Sequence, residues 1–253
     1  MSEPLHPVIA IPTADWTKKL GTAFSMLALY FGIQGLSLVC RVTPRLFSAE
    51  QLRQERWIGL FEHHVLQMVF ALILIGLFSR GRFSDWGLNL RNARISWRIF
   101  FRFVPIYSLV ILAVNVLPAA TTRQPPSFDY PLTRANIAGW LAFECFFVGI
   151  SEEILFRGLI QTFLAQTWRG LVNVRGVAVP TAGIVTTIIF CIAHVDVLHG
   201  HVSWLQQLFA LGLGLYYSIV YHRTGSLLNP ILAHNYSDGI IFVALYLTYW
   251  WLR

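Results

Sequence analysis

Long apolar runs alternate along the chain with short polar, arginine-rich connections. Runs of this length suit helices that cross about 30 Å of hydrocarbon in roughly 20 residues, and they predict about seven spans. The first covers Leu20 to Val39, the second Ile58 to Phe78 and the third Ile99 to Leu117. The fourth starts at Ala135, the fifth runs from Pro180 to His194 and the sixth from Trp204 to Tyr221. Thr224-Gly225-Ser226 forms the turn into the seventh. Arg41 to Trp57 reads as a polar loop, and the stretch from Pro118 to Pro131 cannot continue the third helix. Pro180 and Pro230 suit first turns, and the polar end Gln161 to Arg169 is expected along the interface. The runs are continuous rather than alternating, which argues against a transmembrane β-barrel. The expected fold is all-α: a polytopic transmembrane helical bundle.

Composition agrees. Of 253 residues, 56% are hydrophobic and only 12% charged, with a mean hydropathy of +0.59; soluble domains carry about 25% charged residues. The formal charge of +7 rests almost wholly on arginine and is read as juxtamembrane anchoring to the lipid bilayer. Outside the spans there is no compact basic domain on which nucleic acid would dock, so no nucleic-acid partner is expected. Lys18, Lys19, the arginines from Arg80 to Arg102, Arg157, Arg169, Arg175 and Arg223 fall on one side, which favours a cytoplasmic N-terminus. No small-residue cleavage site follows the first run, so it reads as an uncleaved span. Cys40, Cys145 and Cys191 lie far apart in apolar contexts without CxxC spacing, and are expected to be small core hydrophobes.

Against this background Ser151-Glu152-Glu153-Ile154-Leu155-Phe156-Arg157 stands out: two adjacent carboxylates and a guanidinium follow an apolar run in which only Glu144 is charged. Ionisable groups at bilayer depth are costly and generally functional. Glu153 and Arg157 are four apart on one helical face and are expected to pair. Glu152 is rotated by about 100° from Glu153, which leaves it free to act as a general acid or base. His194 ends the fifth span, with Phe190 one turn earlier to wall its ring. His234 and Asp238, again four apart, share one face of the seventh span, so the carboxylate can orient the ring.

These residues are expected to converge on one polar cavity, and two chemistries suit it. In one, Glu152 and His194 activate a water that attacks a peptide carbonyl, while His234 and its neighbour stabilise the oxyanion. In the other, Glu152, His194 and His234 hold a Zn²⁺ ion that generates hydroxide. The chain has no HExxH, so any metal site must be assembled from separate helices.

The run EEILFR at Glu152 to Arg157 resembles the EExxxR motif of the CPBP family of intramembrane proteases (CAAX proteases and bacteriocin-processing, or Abi, proteins). FCIAH at Phe190 to His194 resembles the family's FxxxH motif, and His234 with Asp238 resembles its Hxxx(N/D) motif. The resemblance covers roughly Trp140 to Gly239, while the first three spans carry no motif. It implies residues 1–134 as unmatched N-terminal spans and 135–253 as the catalytic core of one integral membrane domain.

By position, the resemblance makes Glu152 the catalytic glutamate and His194 its partner on the water. His234 and Asp238 become oxyanion or polar support, and Glu153, Arg157 and Phe190 structural support. It favours glutamate-type hydrolysis without a metal cofactor, with zinc as the alternative. The partner it implies is a membrane-anchored or lipidated protein or peptide substrate, and the location a bacterial inner membrane. Eukaryotic members cleave the terminal tripeptide from prenylated CaaX proteins. A non-catalytic scaffold or bacteriocin-immunity protein of the same fold is the other reading. Many members have asparagine where this chain has Asp238, and an ionised aspartate cannot donate to an oxyanion.

Other polar features are expected to be structural. Glu62-His63-His64 reads as a satisfied interfacial cluster, and Asp196, His199 and His201 as solvated or gating residues rather than metal ligands. Gly212 and Gly214 read as helix-packing positions, and Trp250 and Trp251 as part of an interfacial aromatic belt.

Overall fold

The computed structural model describes residues 15–195 and 202–253. Asp196, His199 and His201, expected to be solvated or gating, lie outside the described residues, as does the start of the N-terminal segment.

Helix α1 (Trp16–Val39) is capped by Asp15, whose carboxylate accepts from the backbone N–H of Lys18. Two short helices follow, α2 (Thr43–Leu46) and α3 (Ala49–Gln54), the latter opened by a Ser48–Gln51 capping box. Helix α4 (Arg56–Ser79) ends at Arg80 in the left-handed region. A 3-10 turn (Phe83–Trp86) leads to α5 (Ala93–Ile111), a π-helical turn (Leu112–Val116) and α6 (Leu117–Thr122).

The fourth segment is interrupted. Helix α7 (Arg134–Phe146), capped by Thr133, breaks at Phe147 and resumes as α8 (Val148–Glu153). A π-helical stretch (Ile154–Gln161) and α9 (Thr162–Leu164) complete it. After a hairpin come α10 (Thr181–Ala193), α11 (Trp204–Thr224) and α12 (Leu228–Leu252). Gly225, at φ 65°, ends α11 in the conformation that spares glycine a Cβ clash.

All seven predicted segments are therefore helical, but they are not alike. Among the described residues three are long and apolar enough to cross a membrane: Trp16–Leu46, Arg56–Ser79 and Ala93–Thr122. Helix α10, 13 residues long, reaches only about 20 Å at 1.5 Å per residue. The fold is all-α apart from the hairpin of β1 (Leu171–Val174) and β2 (Val177–Pro180), which the sequence reading did not foresee. Its turn places Arg175 and Gly176 at positive φ, the signature of a tight antiparallel hairpin.

One core joins the N-terminal helices to the rest: Met26, Tyr30, Ile33, Ala71 and Ile75 cluster with Leu155, Phe156, Leu159, Leu164, Ile189 and Phe190. The outward faces are apolar, with Phe24, Leu77, Phe101, Leu109, Leu208 and Leu247 exposed, while Glu153, Arg157, Ser218, Asn229 and Ser237 are buried. A chain solvated by lipid is expected to distribute its residues in this way, because polar groups must find their partners inside. Helix α12 packs against α5, α7, α8 and α11 and so forms the spine of the site.

Candidate active site

Close approach of α8 and α12 brings the first and third motifs together. At Gly149 a Cβ would lie 2.7 Å from Asn235 Oδ1 and 2.9 Å from Cβ of His234. The same contact is fastened by the Gly149 N–H, which donates to Asn235 Oδ1 at 2.7 Å. Two residues further along α12, Ser237 Oγ donates to the carbonyl of His234 at 2.8 Å and pairs with Tyr217 Oη at 2.8 Å. The Tyr217 ring stacks on the His234 imidazole, with centroids 5.0 Å apart.

Beneath this contact, Glu153 and Arg157 are completely buried. Arg157 Nη1 donates to Glu153 Oε1 at 2.8 Å, and Nη2 donates to the carbonyl of Gly214 at 2.9 Å. The guanidinium lies over the rings of Phe190 and Tyr217, at 4.8 and 5.2 Å, in cation–π contact. Gly214 permits this approach, since a Cβ there would meet Thr187 at 2.9 Å; the expected packing role holds for Gly214, whereas Gly212 faces open space. The expected Glu153–Arg157 pair is thus present, but Glu153 does more. Its Oε1 also lies 2.7 Å from Nδ1 of His234, which, with a carboxylate as partner, is the donor.

With Nδ1 committed, the other face of His234 looks into a cavity. Nε2 lies 3.2 Å from Asp238 Oδ2 and 3.7 Å from Glu152 Oε2. Glu152, His194, His234 and Asp238 all line this one cavity of 460 Å³, walled by apolar side chains including Leu60, Phe143, Phe209 and Phe242. Mostly apolar walls with a few converging polar groups are the usual form of a small-substrate site. His194 is fixed at the end of α10 by Nδ1, which donates to the carbonyl of Phe190 at 2.8 Å. The Phe190 ring packs against it, with centroids 4.4 Å apart. With its Nδ1–H engaged, a neutral His194 keeps Nε2 as an acceptor.

Several polar groups in this cavity were not foreseen, His64, Glu144 and Asn115 among them. His64 on α4 was set aside with Glu62 and His63 as an interfacial cluster. Glu62 does stay structural, accepting from the N–H groups of Val42 and Thr43 at the start of α2. His64 instead turns inward, its Nδ1 4.0 Å from Glu152 Oε1. Glu144 and Asn115 also line the cavity. The signal for Glu144 was in the sequence, as a lone charge in an apolar run; the inward turns of His64 and Asn115 depend on long-range packing. Among the described residues no three His, Cys, Asp or Glu side chains are disposed to hold one metal ion.

Residues 134–240 match the family model described as Type II CAAX prenyl endopeptidase Rce1-like. That segment contains all three motifs, and over it the resemblance read from them holds. Comparison with curated proteins and with solved structures returned no match. Together with the apolar helices, the family match supports an integral membrane protein.

Proposed function

We propose that this chain is an intramembrane endopeptidase of the glutamate type, acting on a lipidated or membrane-anchored peptide segment. The observation that carries the reading is the convergence of Glu152, His194, His234 and Asp238 on one cavity within the family-matched segment.

In the proposed reaction Glu152 takes a proton from a water whose oxygen forms a bond to the scissile carbonyl carbon. His194 Nε2 accepts the water's other hydrogen and fixes its direction of attack. His234, held through Nδ1 by Glu153 and acting as an imidazolium, donates from Nε2 to the oxygen that becomes negative. Collapse of the tetrahedral intermediate breaks the C–N bond, and the proton held by Glu152 passes to the departing amine. Asp238 supports the charge on His234 across 3.2 Å. From the arginine distribution we place the N-terminus on the cytoplasmic side of the membrane.

The test is cleavage of a quenched-fluorescent farnesylated CaaX peptide by the full chain in liposomes, with Glu152→Gln as control. Cleavage by wild type and loss in the variant are expected; equal cleavage by both overturns the reading in favour of a scaffold or immunity role. Incubation with 1,10-phenanthroline is expected to leave the rate unchanged. Inhibition reversed by added zinc would instead assign Glu152, His194 and His234 as ligands.

A further inference from the structure

His64 belongs to α4, outside the matched segment, yet it stands beside the carboxylate to which the proposed chemistry is assigned. The two oxygens of Glu152 face two imidazoles on different helices: Oε2 faces His234 Nε2 at 3.7 Å, and Oε1 faces His64 Nδ1 at 4.0 Å. Neither separation is a direct hydrogen bond, but each is short enough for a single water to bridge. His64 Nδ1 and Glu152 Oε2 are both buried and have no hydrogen-bond partner among the described residues. Buried polar atoms of this kind point to a bridging water or a functional role.

The position of His64 is built rather than incidental. Ser151, the residue before Glu152, donates from Oγ to the backbone carbonyl of His64 at 2.7 Å. Gln67, one turn along α4, donates to the same hydroxyl at 3.1 Å and accepts from Gln34 of α1 at 2.8 Å. A hydrogen-bond chain, part-buried at α1 and buried at α8, thus runs from α1 through α4 to α8 and sets the height of His64 against Glu152. The His64 ring is braced on Phe143, with centroids 5.1 Å apart.

We propose that His64 is a positioning residue for the hydrolytic site, orienting the Glu152 carboxylate and its attacking water from the face opposite His234. The inference rests on the endopeptidase reading above. It gives the N-terminal helices, which carry no family motif, a direct part in the chemistry.

His64→Ala, His64→Asn and His64→Gln in the full chain test it, because an Asn amide occupies the place of Nδ1 and a Gln amide reaches toward Nε2. With the farnesylated peptide, kcat is expected to fall about tenfold or more in the Ala and Gln variants at nearly constant KM, and to recover in His64→Asn. A His64→Ala kcat within about threefold of wild type, a loss confined to KM, or an Asn variant no faster than Gln overturns the assignment. Should His64→Ala not fold, the Asn and Gln pair decides. A second readout needs no turnover. The infrared carboxyl band that vanishes in Glu152→Gln is expected to shift in His64→Gln and return in His64→Asn; a band that stays in place overturns the inference even where the peptide is not cleaved.

Discussion

Glu153 Oε1 stands 2.7 Å from His234 Nδ1 while also accepting from Arg157 Nη1 at 2.8 Å. One buried oxygen therefore links the first motif to the third, and the second carboxylate of the pair becomes the mount for a cavity histidine. Removing Arg157 would leave the buried Glu153 carboxylate with His234 as its one remaining charged partner among the described residues. Arg157→Leu is expected to destabilise the protein by about 3–5 kcal/mol, as for other buried pairs broken on one side. Thermal unfolding in detergent measures this, and a change below about 1 kcal/mol would show that the site relaxes around the lost charge.

Glu152 and Glu153 are adjacent, yet substituting them should have opposite consequences. Glu153 holds two direct hydrogen bonds, whereas among the described residues Glu152 has its nearest imidazole nitrogens at 3.7 and 4.0 Å. Glu152→Gln is expected to leave the unfolding temperature unchanged and to lower kcat by about 10²–10⁴-fold, the usual worth of a general base. Glu153→Gln should lower the unfolding temperature as well as the rate. If both variants lose stability equally, the division of labour between the two carboxylates is wrong.

Much of this arrangement was legible in the sequence, for identifiable reasons. A carboxylate pair in an apolar run and two i, i+4 pairs mark helical faces regardless of tertiary context. His64 was not legible, because its neighbours Glu62 and His63 make the entry to α4 look like an ordinary interface. Only the packing of α4 on α8, fixed through Ser151 and Gln67, turns it inward. The hairpin was legible and overlooked: Val172, Val174, Val177 and Val179 flank Arg175-Gly176 with the two-residue period of strands. The interruption at Phe147 and the π-helical stretch after Glu153 have no such pattern. They arise where α8 is drawn against α12, and π-helical turns recur at functional sites.

That approach of α8 to α12 makes Gly149 a sensitive position. An added methyl would lie within 3 Å of the Asn235 backbone N and side chain and of His234 Cβ, and backbone atoms cannot swing aside. Gly149→Ala is expected to cost about 1–3 kcal/mol, typical of overpacking. It should also slow peptide cleavage by widening the gap between Glu152 and His234. Unfolding and cleavage measured on the same liposome preparation check both; a variant with wild-type stability would mean that α8 shifts freely along α12.

Asp238 tests whether charge or hydrogen bonding is what His234 needs from its neighbour. Its Oδ2 lies 3.2 Å from Nε2, one helical turn along α12. An asparagine retains an acceptor oxygen to orient the ring and adds an N–H able to donate to an oxyanion, while giving up the negative charge. If orientation dominates, Asp238→Asn should keep kcat within about tenfold of wild type, and Asp238→Leu, which offers no acceptor, should lose about 10²-fold or more. If the Asn variant is as slow as the Leu variant, the carboxylate acts through its charge, holding His234 as an imidazolium beside Glu152. The comparison is clean because Asp238 lies at the cavity wall and shares none of the buried hydrogen bonds that join Glu153, Arg157 and Gly214.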